Sequence, residues 1–173
     1  MLQMKKRYLV DNILCDLNDK MVFIGGARQV GKTCMAQYIA EENFKSSDYL
    51  NWDFQDDRKK IIQSRFKGDA EILLFDEIHK YKNWKNYLKG QFDKHRSDYK
   101  FIVTGSARLD VYRRGGDSLM GRYYHYRLHP FSLAECHGKI NLLEPMKEIP
   151  ITNPPSEAGK ILELQAGMPF QIL

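Results

Sequence analysis

Two uninterrupted apolar runs, Met21-Val22-Phe23-Ile24 and Ile72-Leu73-Leu74-Phe75, dominate the hydrophobic pattern of the chain. Neither alternates with polar residues, so both read as strands buried on two faces, the kind found in parallel sheets covered by helices. Phe101-Ile102-Val103 has the same character. Between the runs the apolar positions change to helical spacing. Leu9, Ile13, Leu14 and Leu17 share one face of a short helix from about Arg7 to Leu17, and a helical pattern runs from Lys32 to about Glu42. A polar helix covers Asp56 to Phe66 and is closed by Gly68. Trp84, Tyr87, Leu88 and Phe92 fall on one face of a further helix and are assigned to the core. Tyr49–Trp52 reads as another strand. Arg122–Leu128 reads as one more, with Tyr124, Tyr126 and Leu128 on one face, and a helix is expected to begin at Pro130-Phe131-Ser132. Strands alternating with helices predict an α/β fold with a mostly parallel, helix-covered sheet.

The polar ends of the buried runs carry the candidate chemistry. In such sheets ligands bind at the carboxyl ends of the strands. Here the runs end in Gly25-Gly26, Asp76-Glu77 and Thr104-Gly105-Ser106. The first opens Gly26-Ala27-Arg28-Gln29-Val30-Gly31-Lys32-Thr33, which has the spacing of a phosphate-binding loop between a strand and a helix. Gly26 and Gly31 allow the backbone to wrap so that its amides face an anion, and the helix that follows adds its positive end. In this reading residues Gly26 to Cys34 cradle ATP. Lys32 reaches the β- and γ-phosphates, and Thr33 places its hydroxyl on Mg²⁺.

Asp76 stands where a second strand ends, as a Mg²⁺-binding aspartate of this class does, and Glu77 is placed to orient and deprotonate the attacking water. Thr104 and Ser106 are candidates to sense the γ-phosphate or position water. Arg108, Arg113, Arg114, Arg122 and Arg127 are candidates to stabilise charge on the transferred phosphoryl group, from this chain or a neighbouring one. His125 and His129 are spaced as a helical metal pair would be, yet they lie in strand-like sequence that ends in Pro130, which argues against one.

Composition narrows the class. With 43% hydrophobic and 28% charged residues over 173 positions, the chain has the mix of an ordered protein large enough for a sizeable core. No apolar run approaches the roughly 20 residues of a membrane span, and no signal core follows the basic start. Cys15, Cys34 and Cys136 lack metal-site spacing, so reduced thiols and a cytoplasmic location are expected. The net charge of +5 suits nucleotides, nucleic acid or anionic lipid alike, so it does not single out a nucleic-acid partner.

Taken in order, the phosphate loop (26–33), Phe-Asp-Glu-Ile-His-Lys (75–80), Thr-Gly-Ser-Ala (104–107), Ser-Leu-Met-Gly-Arg (118–122) and Leu-His-Pro-Phe-Ser-Leu-Ala-Glu (128–135) resemble the AAA-family ATPase domain of bacterial and archaeal proteins that join an N-terminal ATPase to a C-terminal domain of unknown function. The resemblance covers roughly residues 5 to 137. It implies a P-loop fold with an additional strand between the two nucleotide-binding strands and a catalytic glutamate. By position it assigns Lys32 and Thr33 to phosphate and Mg²⁺, Asp76 to the metal, Glu77 to the water and Thr104–Ser106 to a sensor segment. It also makes Arg122, in a glycine–arginine pair typical of the family, the favoured arginine.

The expected organisation is an ATPase domain over 1–138. Beyond it, 139–173 read as a Pro-rich linker, a short helix capped by Ser156, and the shortened start of a C-terminal region. Self-association or a protein partner would act through that region. Three other readings stay open. Asp76-Glu77-Ile78-His79 matches a helicase box, although such a motor needs two domains of this kind. A small P-loop kinase fits the length. A nucleotide-gated switch with little turnover would share the same residues.

Overall fold

The computed structural model of the chain describes residues 6–106 and 119–136. Its strands are β1 (Met21–Gly26), β2 (Ser47–Asn51), β3 (Ile72–Asp76), β4 (Lys100–Thr104) and β5 (Tyr123–Leu128), and its helices are α1 (Val10–Asp16), α2 (Lys32–Asn43), α3 (Gln55–Gln63), α4 (Trp84–His95) and α5 (Leu133–Cys136). A 3₁₀ turn, Ile78–Lys80, follows β3. The strands form one sheet in the order β2-β3-β4-β1-β5, and every neighbouring pair is parallel. β4 therefore lies between β1 and β3, the additional-strand arrangement that the resemblance implied.

Successive side chains of a strand point to opposite faces, and here both faces are covered. Val22, Ile24, Ile72, Leu74 and Ile102 pack on one side with α1 and α2. Met21, Phe23, Leu73, Phe75, Phe101 and Val103 pack on the other with Ile61 of α3 and Leu88 and Phe92 of α4. This two-sided burial is why the runs contain no polar residue. Full burial of one such side chain contributes about 1.5–3 kcal/mol. Trp84, Tyr87, Leu88 and Phe92 belong to this core, as their spacing predicted. On the edge strand β5, Tyr126 and Leu128 join the α1 side, and Tyr124 and Tyr126 donate to Asp19 (2.9 Å) and Asp16 (2.5 Å).

Boundaries shift by a few residues. α1 begins at Val10 rather than near Arg7, whose side chain is engaged elsewhere. β2 begins two residues before Tyr49, and Trp52 already leaves it, its amide bonded to the Asp76 carbonyl at 3.0 Å. α3 ends at Gln63 because Ser64 turns into the left-handed region, φ 51°. α5 starts at Leu133 behind Ser132. The helix expected after Ser156, and the linker, lie outside the described residues. Cys15, Cys34 and Cys136 are free and exposed. No described helix is long and apolar enough to cross a membrane.

Candidate functional site

At the carboxyl end of β1 the chain turns sharply into α2. Gly26 has φ 151°, and a Cβ there would stand 2.4 Å from the Leu128 carbonyl oxygen on β5, so no side chain fits. Gly31, with φ 87°, is the residue that caps α2. Gln29 also lies in the left-handed region, φ 62°. Such runs of left- and right-handed residues make concave anion-binding backbones. Ala27, Arg28 and Gln29 are exposed, whereas Val30 packs into the core and anchors the loop from below. Lys32 begins α2 and donates to the Ala27 carbonyl across the loop at 2.6 Å. Burial pushes the Lys32 ammonium below its ordinary pKa, against the opposing pull of Glu77 and Asp76.

Asp76 ends β3 and is 6% exposed. Three hydroxyls donate to its carboxylate: Thr33 from α2 to Oδ2 (3.0 Å), Tyr49 from β2 to Oδ2 (2.8 Å) and Thr104 from β4 to Oδ1 (2.5 Å). Sheet register arranges two of them. Asp76 pairs with Thr104 on one side and with Asn51 on the other, and Asn51 in turn donates to the Tyr49 hydroxyl at 3.1 Å. Burial, then the bond to Asp76, pushes the Tyr49 phenol far up, so it remains a donor.

Glu77 leaves the strand with φ 55°, its amide bonded to the Thr104 carbonyl at 3.0 Å. Its Oε2 lies 3.3 Å from the Lys80 ammonium and 3.6 Å from His79 Nε2. Lys80 is itself held by both carboxylate oxygens of Asp53, at 2.6 and 2.8 Å. The Asp53 bond is the main cause raising the Lys80 pKa. Burial pushes the His79 imidazole down, and its Nε2 stands 3.4 Å from the Ser106 hydroxyl.

A cavity of about 840 Å³ opens over these groups, lined by Ala27, Arg28, Gln29, Gly31, Lys32, Thr33, Cys34, Glu77, His79, Lys80 and Ser106. The structure thus gathers most of the expected residues around one space, with Asp76 and Thr104 joined beneath it through Thr33 and Gly26 and Val30 shaping the loop. It also adds Tyr49, Asn51, His79 and Lys80, to which the sequence assigned no role in the site. His79 and Lys80 sit in the same motif as Glu77. Tyr49 carried no signal beyond a strand aromatic.

Arg122 is the correction. It precedes β5 at the amino ends of the strands, where its carbonyl accepts from the Met21 amide at 3.1 Å. β5 runs parallel to β1 from Tyr123 opposite Met21 to Leu128 opposite Gly26, so at about 3.3 Å per residue Arg122 is roughly 20 Å from the phosphate loop. Its guanidinium instead grips Asp93 of α4 with two bonds, at 2.7 and 3.1 Å. Within its own chain it does not reach the cavity. Among the other arginines, Arg108, Arg113 and Arg114 lie outside the described residues, and Arg127 is an exposed residue of β5 beside Gly25. His125 lies in β5 and His129 follows it, and no group of acidic, His and Cys residues among the described residues could hold a metal by itself.

A glycine-bounded loop between a buried strand and a helix, with an aspartate two strands away, defines the P-loop nucleotide-binding fold. The comparisons place the chain more narrowly. A family model described as an AAA domain matches residues 18–137, and the chain belongs to that family of P-loop ATPase domains. It is similar to the RuvB Holliday junction branch migration motor of Thermotoga maritima, with 22% identity over 72% of this chain and 45% of that chain, TM-score 0.46. It is also similar to the Pif1 helicase from Bacteroides in complex with ADP-AlF3 and ssDNA, with 12% identity over 73% of this chain and 42% of that chain, TM-score 0.42. The chain spans less than half the length of either. No curated protein matches it significantly.

Proposed function

We propose that the chain binds Mg-ATP in this cavity and hydrolyses it to ADP and phosphate. The observation that carries the reading is the convergence of Thr33 and Thr104 on Asp76 directly behind the phosphate loop. A buried carboxylate ringed by hydroxyls at the floor of an anion cradle is a hard-oxygen donor set. It suits a small divalent cation that takes its remaining ligands from water and phosphate. Thr33 and Asp76 are the residues that would hold Mg²⁺, with Tyr49 and Thr104 orienting the carboxylate. When bound there, Mg²⁺ neutralises charge on the β- and γ-phosphate oxygens.

The rest is done by the chain. The amides of residues 27–34 and the end of α2 hold the phosphates, and Lys32 exchanges the Ala27 carbonyl for a phosphate oxygen. The desolvation that lowers its pKa makes it a stronger partner for an anion, since burial costs the charge less once it is paired. Glu77 accepts a proton from a water whose oxygen bonds to the γ-phosphorus as the bond to the bridging oxygen breaks and ADP leaves. Ser106 and His79 border the place where the γ-phosphate ends. Residues 1–138 form the ATPase domain in this reading.

The test is Mg-dependent ATP turnover by the chain beside its Glu77→Gln variant. The variant is expected to keep ATP affinity and lose about 10²–10⁴-fold in turnover, the range of a general base. Turnover equal to the parent's would remove Glu77 from the mechanism. Binding without turnover in the parent would favour a nucleotide-gated switch, and phosphate appearing on a nucleoside monophosphate would make the domain a kinase.

A further inference from the structure

Arg7 is a charged side chain that the proposed reaction does not use, and it is buried to 3% exposure. Its three guanidinium nitrogens tie two segments together. Nε donates to Glu135 Oε1 at 2.8 Å, Nη1 to the Val30 carbonyl at 3.0 Å and Nη2 to the His129 carbonyl at 2.7 Å. The Phe131 ring lies 4.0 Å from its central carbon. Glu135, 4% exposed, also accepts from the amides of Tyr8 (3.2 Å) and Ser132 (2.8 Å), while the Ser132 hydroxyl accepts from the Glu135 amide (3.2 Å). That reciprocal pair is a capping box at the start of α5. Burial alone would push the Glu135 carboxyl up, but these donors outweigh it and leave it below its ordinary value.

The bond to Val30 bears on the phosphate loop. A peptide unit is planar and, among the described residues, trans. Its C=O and the next N–H therefore point in opposite directions. Holding the Val30 oxygen toward Arg7 aims the Gly31 amide away from Arg7. Gly31 lines the cavity, and its φ of 87° is one that the loop must maintain. A guanidinium is a rigid plane, so a shift of the Val30 carbonyl is passed to its other acceptors rather than absorbed. Those acceptors belong to residues 129–135.

We propose that Arg7 is a positioning residue that holds the phosphate loop in its anion-receiving form, and that through Glu135 it couples occupancy of the loop to the 129–135 segment. The inference rests on the nucleotide-binding reading above. It gives four residues of the Leu-His-Pro-Phe-Ser-Leu-Ala-Glu motif a role. His129 supplies a carbonyl, Phe131 a ring, and Ser132 and Glu135 the cap and the counter-charge. It also makes this segment the place where the nucleotide state is passed along the chain.

Amide hydrogen exchange of the parent chain with and without Mg-ADP tests it. Mg-ADP is expected to slow exchange over 26–34 and also, by about tenfold or more, at Tyr8, Ser132 and Glu135, tenfold being the ratio one charge-assisted hydrogen bond supplies. Protection confined to 26–34 overturns the coupling. No protection at 26–34 overturns the nucleotide-binding reading and this inference with it. Arg7→Lys keeps the charge, but its donors sit on a single nitrogen and cannot span the three acceptors that Nε, Nη1 and Nη2 reach separately. Its folded form is expected to bind Mg-ADP about tenfold more weakly or worse. Parental affinity in that variant overturns the positioning role, and if the variant does not fold, the exchange pattern of the parent decides alone.

Discussion

Asp76 and Glu77 are neighbours in sequence, yet the two sides of the cavity they serve are built in different ways. Asp76 is the last residue of β3, and its partners come from α2, β2 and β4, elements brought together by the register of the sheet. Glu77 has already left the strand, its side chain a quarter exposed, and its charged neighbours His79 and Lys80 belong to the turn it initiates. In the proposed reading the geometry on the phosphate side is thus fixed by the whole fold, whereas on the water side the charged neighbours of Glu77 lie within three residues of it. Substitutions on the first side should act on binding, and those on the second on rate. That division can be broken or sharpened by experiment.

The largest effect on binding is expected from Lys32→Met. The ammonium is buried, and burial disfavours its charged form relative to water. Keeping that charge in the fold therefore carries a desolvation cost that methionine removes. Thermal stability should be retained or raised. ATP affinity should fall by roughly 10- to 150-fold, the ratio set by about 1.5–3 kcal/mol for a hydrogen bond to a charged group. Calorimetric titration beside a melting curve reads both. Undiminished affinity would break the assignment of the phosphate side. A large loss of stability would mean that the lysine serves the fold instead.

A smaller effect on rate belongs to Lys80→Met. Lys80 is 44% exposed and already tied to Asp53, so it restrains Glu77 through a solvent-screened contact at 3.3 Å. Freeing the carboxylate should raise kcat by about two- to fivefold, what an exposed ion pair of at most ~1 kcal/mol can withhold. KM should stay unchanged, because the phosphate side is not touched. Steady-state kinetics would show it. A fall of kcat toward the level of Glu77→Gln would instead make Lys80 part of the hydrolytic group and erase the restraint.

The same division explains what could be read from sequence. The sheet was legible because burial on two faces leaves apolar runs with no alternation, and the phosphate loop because glycine spacing follows from backbone geometry. Asp76 was legible because it ends such a run. Tyr49 was not, since its meaning depends on the register of β2 against β3, and no local pattern encodes a pairing between strands. Arg7 was hidden for a related reason. In sequence it closes a basic start, whereas its partners lie as far as 128 residues away. The Gly121-Arg122 pair shows the converse, because membership of a motif fixes a position in the chain but not which end of a strand it occupies.

Arg122→Ala is expected to have the smallest effect. The guanidinium is bonded to Asp93 at the amino end of β5, and that ion pair holds Asp93 below its usual carboxylate range while raising the arginine. Both side chains are partly exposed, at 31% and 45%, so the pair is screened by solvent and removing one should leave the melting temperature nearly unchanged. Turnover in dilute protein should match the parent, because roughly 20 Å of strand separates this arginine from its own phosphate loop. An arginine that acted on the transferred phosphoryl group would cost about 10³–10⁵-fold when removed. Measuring turnover across protein concentration separates the remaining cases. Loss at every dilution would mean that the sheet end assigned here is wrong. Loss appearing only as concentration rises would mean that Arg122 reaches the cavity of a second copy, where the distance along its own strand no longer applies.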